Sequence, residues 1–432
     1  MSEEAKPTLK RKLNLVDAIS IGIGAIIGAG IFVLIGVAAG LAGPAVFIAV
    51  IISGLSATFT ALSFSELGSA LPKAGGVYEY GHELISPSIG FVLGWMWIFG
   101  NIVLGATASL GFGFYVSSIF SFIPFKVGAA IVILFVVLIN IIGVKQSAIV
   151  NNVIVLIKVG VLILFVILGL PKIKLSYFDD LFPNGFIPLL QAAALFYFAY
   201  IGFPRISTTA EEVKNPEKNI PLAILFSLFV SSVIYLFTSI TAVGLIGYKS
   251  LGSSSTPVAD AASELGIRGI VTLGALCATF SVILTSVMGQ SRIFFAMARN
   301  EEMPHMLSKI HSKFETPVYS ILVSGLIMLT LALTVDISNL AYLGSFSVLF
   351  THVFTNYASI KLSKLNLDNS NYFKVPFRPF HAFLGLLLSF VLLISSGLTT
   401  IASGIFVCIL GFVWYYSYKK INVTTIPKIF SS

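Results

Sequence analysis

Apolar residues along this chain run in long blocks, and the polar positions collect in the short connections between them. Read between Pro, Gly and charged residues, the blocks predict helical spans at 13–41, 44–69, 86–120, 126–143, 147–170, 186–206, 219–247, 268–298, 318–334, 338–360, 380–396 and 399–418. Each approaches or exceeds the roughly 20 residues that carry a helix across a bilayer. No connection reaches the size of a folded domain, so residues 1–432 read as a single membrane domain. A composition of 57% hydrophobic and 10% charged residues, with mean hydropathy +0.98, excludes a soluble domain of this length, because no core could bury that much apolar surface.

Charge adds an orientation. With Lys6, Lys10, Arg11 and Lys12 in the cytoplasm, 20 of the 26 basic residues fall on that side. Lys126, Lys172, Lys174, Lys249 and Arg268 fall outside, and Lys158 falls within a span. That asymmetry follows the positive-inside rule. An even number of spans returns Lys419 and Lys420 to the cytoplasm, so both termini are expected there and the protein in the cell membrane. The net charge of +8 is topological and implies no nucleic-acid partner. The N-terminal basic residues lead into a span longer than a signal core, which argues against a cleaved signal peptide.

The remaining chemistry is sparse. Cys277 and Cys408 both lie inside predicted spans, so no disulfide-linked subunit is expected. His82, His305, His311, His352 and His381 are read as scattered over loops and helix ends, without metal-ligand spacing. No phosphate-binding Gly-Lys-Ser/Thr loop is present, and no cofactor is expected. An intramembrane enzyme would need a nucleophile–base pair or a metal cluster in the spans, and the chain offers neither.

The first span carries the strongest local signal, Gly24-Ala25-Ile26-Ile27-Gly28-Ala29-Gly30-Ile31-Phe32. Each glycine costs a helix roughly 1 kcal/mol relative to Ala, so this segment can open halfway across. Open, it would offer backbone N–H groups to a small anion and carbonyls to a cation. The competing reading is close helix packing, since Gly24 and Gly28, like Gly36 and Gly40, are four apart. A second interruption, Phe198-Ala199-Tyr200-Ile201-Gly202-Phe203-Pro204 in span 6, favours the first reading. Paired broken segments in two halves of a transporter point to its binding site.

Four further stretches carry a family resemblance: Ser65-Glu66-Leu67-Gly68 leading through Pro72 and Gly75-Gly76 to Tyr78-Glu79-Tyr80; Gly202-Phe203; Glu211-Glu212-Val213-Lys214-Asn215-Pro216 through Pro221; and Ser291-Arg292-Ile293-Phe294-Phe295-Ala296-Met297-Ala298-Arg299. With the glycine segment, in this order and spacing, the chain strongly resembles the amino acid–polyamine–organocation (APC) family of permeases, least so in the last two spans. The resemblance implies an all-helical polytopic fold. Spans 1–5 (13–170) and 6–10 (186–360) would be inverted repeats with discontinuous spans 1 and 6, and two peripheral spans (380–418) would follow. It implies further that carbonyls near Ile26, Ile27, Phe198, Ala199 and Ile201 bind a substrate α-amino group. The N–H groups around Gly28, Ala29, Gly30 and Ile31 would take the α-carboxylate. Of the aromatic cluster in span 6, Phe198 is the expected lid.

Span 5 places Lys158 near the midplane, about a dozen residues from either end and too deep to snorkel. Lysines at such depth face a cavity or partner. The resemblance implies that an amine here replaces a sodium ion, with Gly24 in span 1 and Ser281 in span 8 as partners. Two departures concern substrate charge: Gly100 in span 3 and Pro204-Arg205 in span 6 stand where some members carry acids, which favours neutral amino acids. The segment from Arg205 to Pro221 reads as a solvated cytoplasmic loop, with a lesser role for its charges in closing an inner gate. Ser253–Gly266 reads as an outer lid, a short helix capped by Ser/Thr.

The expected function is proton-coupled amino acid symport through Lys158, in which the partners are an amino acid, a proton and the bilayer. An exchanger of the same fold is the first alternative and a membrane amino acid sensor the second.

Overall fold

A computed structural model describes residues 13–72, 75–143, 148–208, 213–314, 316–365 and 372–425. They are helical throughout apart from connections and one isolated parallel bridge between Leu13 and Val213. The basic N-terminus, Lys73 and the loop residues Glu211 and Glu212 lie outside the described residues.

The expected first span is two helices. Asn14 starts α1 (Leu15–Ile26) with a capping box: its side chain accepts from the Asp17 amide at 3.0 Å, and the Asp17 carboxylate accepts from the Asn14 amide at 3.1 Å. Ile27 then turns extended (φ −76°, ψ 105°). The chain recovers through a wide turn at Gly30–Leu34 into α2 (Ile35–Ala42). After α3 (Val46–Ala70), Gly75 and Gly76 take positive φ and release α4 (Val77–Leu84). Next come α5 (Pro87–Ile119), α6 (Phe125–Ile142) and α7 (Ala148–Gly169).

The sixth apolar block is interrupted as well. α8 (Phe186–Phe196) tightens into a 3-10 turn at Tyr197–Tyr200, and α9 (Arg205–Thr208) follows Pro204. α10 (Pro216–Ser253) is kinked at Gly247 and leads to α11 (Pro257–Ser263), then α12 (Arg268–Arg299), α13 (Val318–Thr334) and α14 (Ile337–Lys364). α15 (Phe380–Ser395) and α16 (Leu398–Thr425) close the chain.

Among the described residues, nine helical stretches are long and apolar enough to cross a membrane. The first, Leu15–Ala70, contains two of the expected spans, and two shorter apolar helices are Val318–Thr334 and Phe380–Ser395. This is a multi-pass membrane protein.

The interior is built by α3 on α10 and by α5 on α12 and α14; α1 lies between α7 and α10. The last two helices pack outside this set, α15 on α3 and α14 and α16 on α5. A buried charge fastens the start of α15. Glu66, fully buried in α3, pairs with Arg378 Nε at 2.6 Å, accepts from Ser359 Oγ at 2.9 Å, and has His381 Nε2 at 3.8 Å. Removing one partner of a buried pair strands the other and costs roughly 3 kcal/mol or more. Glu66→Ala is therefore expected to lower the melting temperature of the purified protein clearly. Arg378→Ala should cost at least as much, because it leaves the fully buried Glu66 without its cation, whereas the Arg378 side chain left by Glu66→Ala is already 20% exposed. Equal melting of Glu66→Ala and the parent would show that the pair holds nothing.

The lid helix forms, but its cap differs from the expected one. Thr256 precedes α11 without accepting an amide in its first turn. Instead the Thr256 and Ser254 hydroxyls both donate to Asp260, and the Ser254 oxygen accepts from the Thr256 amide. Aspartate in the first turn takes over because it can accept from both hydroxyls while facing the positive helix end. Pro257 brings this helix against Gly36 at the start of α2.

Candidate functional site

The two helix breaks cross each other at the centre of the bundle. A Cβ at Gly30 would overlap the Cβ and Cα of Ala199, and a Cβ at Gly202 would overlap the backbone of Ala25 and Ile26. Each break thus contributes a glycine where the other's main chain passes, and Pro204 removes a donor that would otherwise continue the second helix. Tyr235 of α10 ties them together: its hydroxyl lies 2.7 Å from the Ile26 carbonyl oxygen and 3.2 Å from that of Ala199. One hydroxyl has one proton, so the pair of carbonyls keeps acceptor capacity.

All of the predicted substrate residues lie at this crossing. Ile26, Ile27, Ala29, Ile31, Phe198, Ala199 and Ile201 are buried, as are Gly28 and Gly30. The helix restarting at Ala29 and Gly30 leaves its first N–H groups without intrahelical acceptors. The Phe198 carbonyl accepts from the Ile201 amide at 3.3 Å. The Phe198 ring packs against Gly344 of α14 and beside Val103 of α5.

Lys158 comes to the same break from α7. Its ammonium donates to the carbonyls of Gly24 at 2.6 Å and Ile27 at 2.8 Å and to Ser281 Oγ at 3.2 Å, and the side chain is fully buried. Ser281 in turn donates to the Ala278 carbonyl at 2.9 Å, the local bond expected of a helix-interior hydroxyl. Gly24 and Ile27 lie where α1 ends, so their carbonyls need donors from outside the helix. An ammonium has three protons, and this geometry uses all three.

Three features differ from the sequence reading. Arg205 is not in a solvated loop: its guanidinium reaches back into the bundle and donates to Thr285 Oγ1, to Ser286 Oγ at 3.2 Å and to Asn101 Oδ1 at 3.5 Å. Lys214, Glu217 and Lys218, further along the same connection, are exposed as expected. The difference arises at Pro204, whose turn directs the next residue inward. His352 is not at a helix end but deep in α14, fully buried, with Nδ1 2.7 Å from the Tyr197 hydroxyl and the rings of Phe64, Trp97 and Phe203 around it. Tyr235 had no signal at all, being one aromatic in an apolar helix.

Phe196 and Tyr200 pack edge-on with Tyr235, Tyr200 donates to the Val50 carbonyl at 3.3 Å, and Phe203 packs on Phe64. Most of the cluster is therefore packing around the break, and the Phe198 ring lies on Gly344 of α14.

Comparison with known proteins agrees with this architecture. A family model described as Amino acid permease matches residues 17–425. The chain is 32% identical to the branched-chain amino acid permease BcaP of Bacillus subtilis, over 96% of this chain and 94% of that one. It is 31% identical to the methylthioribose transporter of the same organism, over 88% and 87%. It is also 31% identical to the vacuolar cationic amino acid transporter 4 of Arabidopsis thaliana, over 79% of this chain and 61% of the relative. With a match across nearly its whole length and two broken helices crossing at its centre, the chain belongs to the amino acid permease family, which are transporters and not enzymes.

Proposed function

We propose that the protein is a proton-coupled secondary transporter of amino acids in the cell membrane. On this reading it has twelve spans and cytoplasmic termini, and a 5+5 inverted repeat relates 13–170 to 186–360. The observation that carries the coupling is the Lys158 ammonium on the carbonyls of Gly24 and Ile27. The paired breaks support the repeat, and the bacterial relatives support the cell membrane.

The site's own groups suffice for the cycle. The N–H groups at Ala29–Ile31 take the α-carboxylate, and the α-amino group meets the carbonyls of Ile26, Ala199 and Ile201, displacing the Tyr235 hydroxyl's partial hold. Protonated Lys158 satisfies three acceptors and pins the end of α1 to α7 and α12. A neutral amine has only two protons, and its lone pair repels an oxygen acceptor. Loss of the proton therefore breaks at least one of the three contacts and frees the end of α1. That change links the proton to alternating access. Neutral substrates are favoured because no carboxylate faces the site from Gly100 or from Pro204, and the relative BcaP is named for branched-chain amino acids.

The test is uptake into proteoliposomes of the full chain with no internal substrate. An inward proton gradient should concentrate a neutral amino acid, and dissipating the gradient should abolish this. Uptake that needs internal amino acid and ignores the gradient would identify an exchanger and overturn the coupling.

A further inference from the structure

The second break is held from α14. Ser345 Oγ donates to the Leu195 carbonyl at 3.3 Å, Gly344 lies against the Phe198 ring, and His352 Nδ1 lies 2.7 Å from the Tyr197 hydroxyl. Ser345 and His352 are seven residues apart, two turns along one face of the helix. Tyr197 opens the 3-10 turn, directly before Phe198 and Ala199. Such a turn has poorer hydrogen-bond geometry than an α-helix, so its shape depends on ties from outside. Tyr235 ties its middle at the Ala199 carbonyl, Tyr200 ties its end to the Val50 carbonyl, and His352 ties its start.

Packing alone does not call for a histidine here. His352 is fully buried among the rings of Phe64, Trp97 and Phe203, where an apolar side chain would serve, and among the described residues its Nε2 has no hydrogen-bond partner. Burying an unpaired ring nitrogen is costly. What the histidine adds over an apolar residue is the bond at Nδ1. Ser56 and Thr60 of α3 and Ser389 of α15 also interact with the Tyr197 hydroxyl, and Asn356, one turn past His352, donates to Thr60 Oγ1 at 3.0 Å. The start of the turn is thus fastened where α3, α14 and α15 meet.

We infer that His352 is a positioning residue of the central site: through Tyr197 it fixes the 3-10 turn, and with it the carbonyls of Ala199 and Ile201 that receive the α-amino group. This rests on the transporter reading above. On the repeat proposed there, α7 and α14 are the fifth spans of the two halves, so each break is held by the fifth span of its own half. Lys158 takes main-chain carbonyls of the first break, and His352 takes a side-chain hydroxyl of the second. A purely structural histidine would change binding only in proportion to folding.

Isothermal titration of the purified full-length protein with leucine, isoleucine, alanine and glutamine, together with melting temperatures, separates the two. For the amino acid the wild type binds most tightly, His352→Leu should weaken binding by roughly tenfold, the loss expected of one buried hydrogen bond. Tyr197→Phe should weaken it at least as much. His352→Asn, whose amide oxygen can stand where Nδ1 stands, should bind within about threefold of the wild type, whereas His352→Gln should resemble His352→Leu. Replacing both partners by apolar groups of similar shape is nearly neutral for stability. The double variant Tyr197→Phe/His352→Leu should therefore melt near the wild type yet bind as weakly as the single variants. Folded His352→Leu or Tyr197→Phe binding as tightly as the wild type, His352→Asn binding no better than His352→Leu, or affinity that follows melting temperature across the variants would overturn the inference. Each of these results leaves the transporter reading standing. Binding of none of the four amino acids by the wild type would remove both.

Discussion

Lys158→Ala liposomes are expected to equilibrate substrate without concentrating it. For one proton per substrate, an inward gradient of one pH unit can sustain about tenfold accumulation, since a pH unit and a tenfold ratio are each about 1.4 kcal/mol. The variant should bring that ratio to about one. The argument is geometric: no second group can substitute for the amine on the Gly24 and Ile27 carbonyls. Arg205 of α9 is anchored one turn further along α12, on Thr285 and Ser286, and on Asn101 of α5, and a guanidinium does not give up its proton in a protein. The variant loses three hydrogen bonds and also a buried charge, and these oppose each other, so a folded protein is expected. Lys158→Gln provides a second variant that can still donate to one carbonyl. Full accumulation by either, in folded protein, would remove Lys158 from the coupling.

How much of this was legible beforehand depended on whether a residue's role was set by its own stretch of chain or by a neighbour. Helix positions were legible because long apolar blocks admit one solution in a bilayer. The break after Ile26 and the one after Phe196 were legible because glycine and proline lower the cost of leaving the helix wherever they occur. The setting of Lys158 followed from depth and from the family resemblance together, and the structure brings it to Gly24 and Ser281. Arg205 misled because a charge next to a polar loop normally belongs to it. Only the turn at Pro204, a tertiary matter, points it inward. His352 was taken with the other histidines, since nothing local announces the aromatic rings that enclose it or the Tyr197 hydroxyl on its Nδ1. The Thr256 cap failed for a smaller reason of the same kind: Asp260, one turn on, competed for the same hydroxyl.

The glycines of the first break should separate sharply under the smallest substitution. Gly30→Ala places a methyl against the Cα and Cβ of Ala199, which is main chain and cannot rotate away. The two breaks must then move apart, at a cost of roughly 1–3 kcal/mol typical of overpacking. That movement pulls the Ala29–Ile31 amides from the carbonyls opposite them, so substrate affinity should fall by about ten- to a hundredfold. Gly28→Ala meets Val282, whose Cγ2 lies 2.5 Å from the added carbon, a side-chain methyl that substitution can remove. Its effect should be several times smaller, and adding Val282→Ala should restore binding. No such partner exists for Gly30, because removing the Ala199 methyl leaves its Cα in place. If these glycines served helix packing alone, both alanine variants would lower the melting temperature in proportion to their loss of binding. A loss of affinity in Gly30→Ala larger than its loss of stability, with Gly28→Ala rescued at Val282, is the outcome expected of a binding site. Undiminished affinity in folded Gly30→Ala would return the segment to packing.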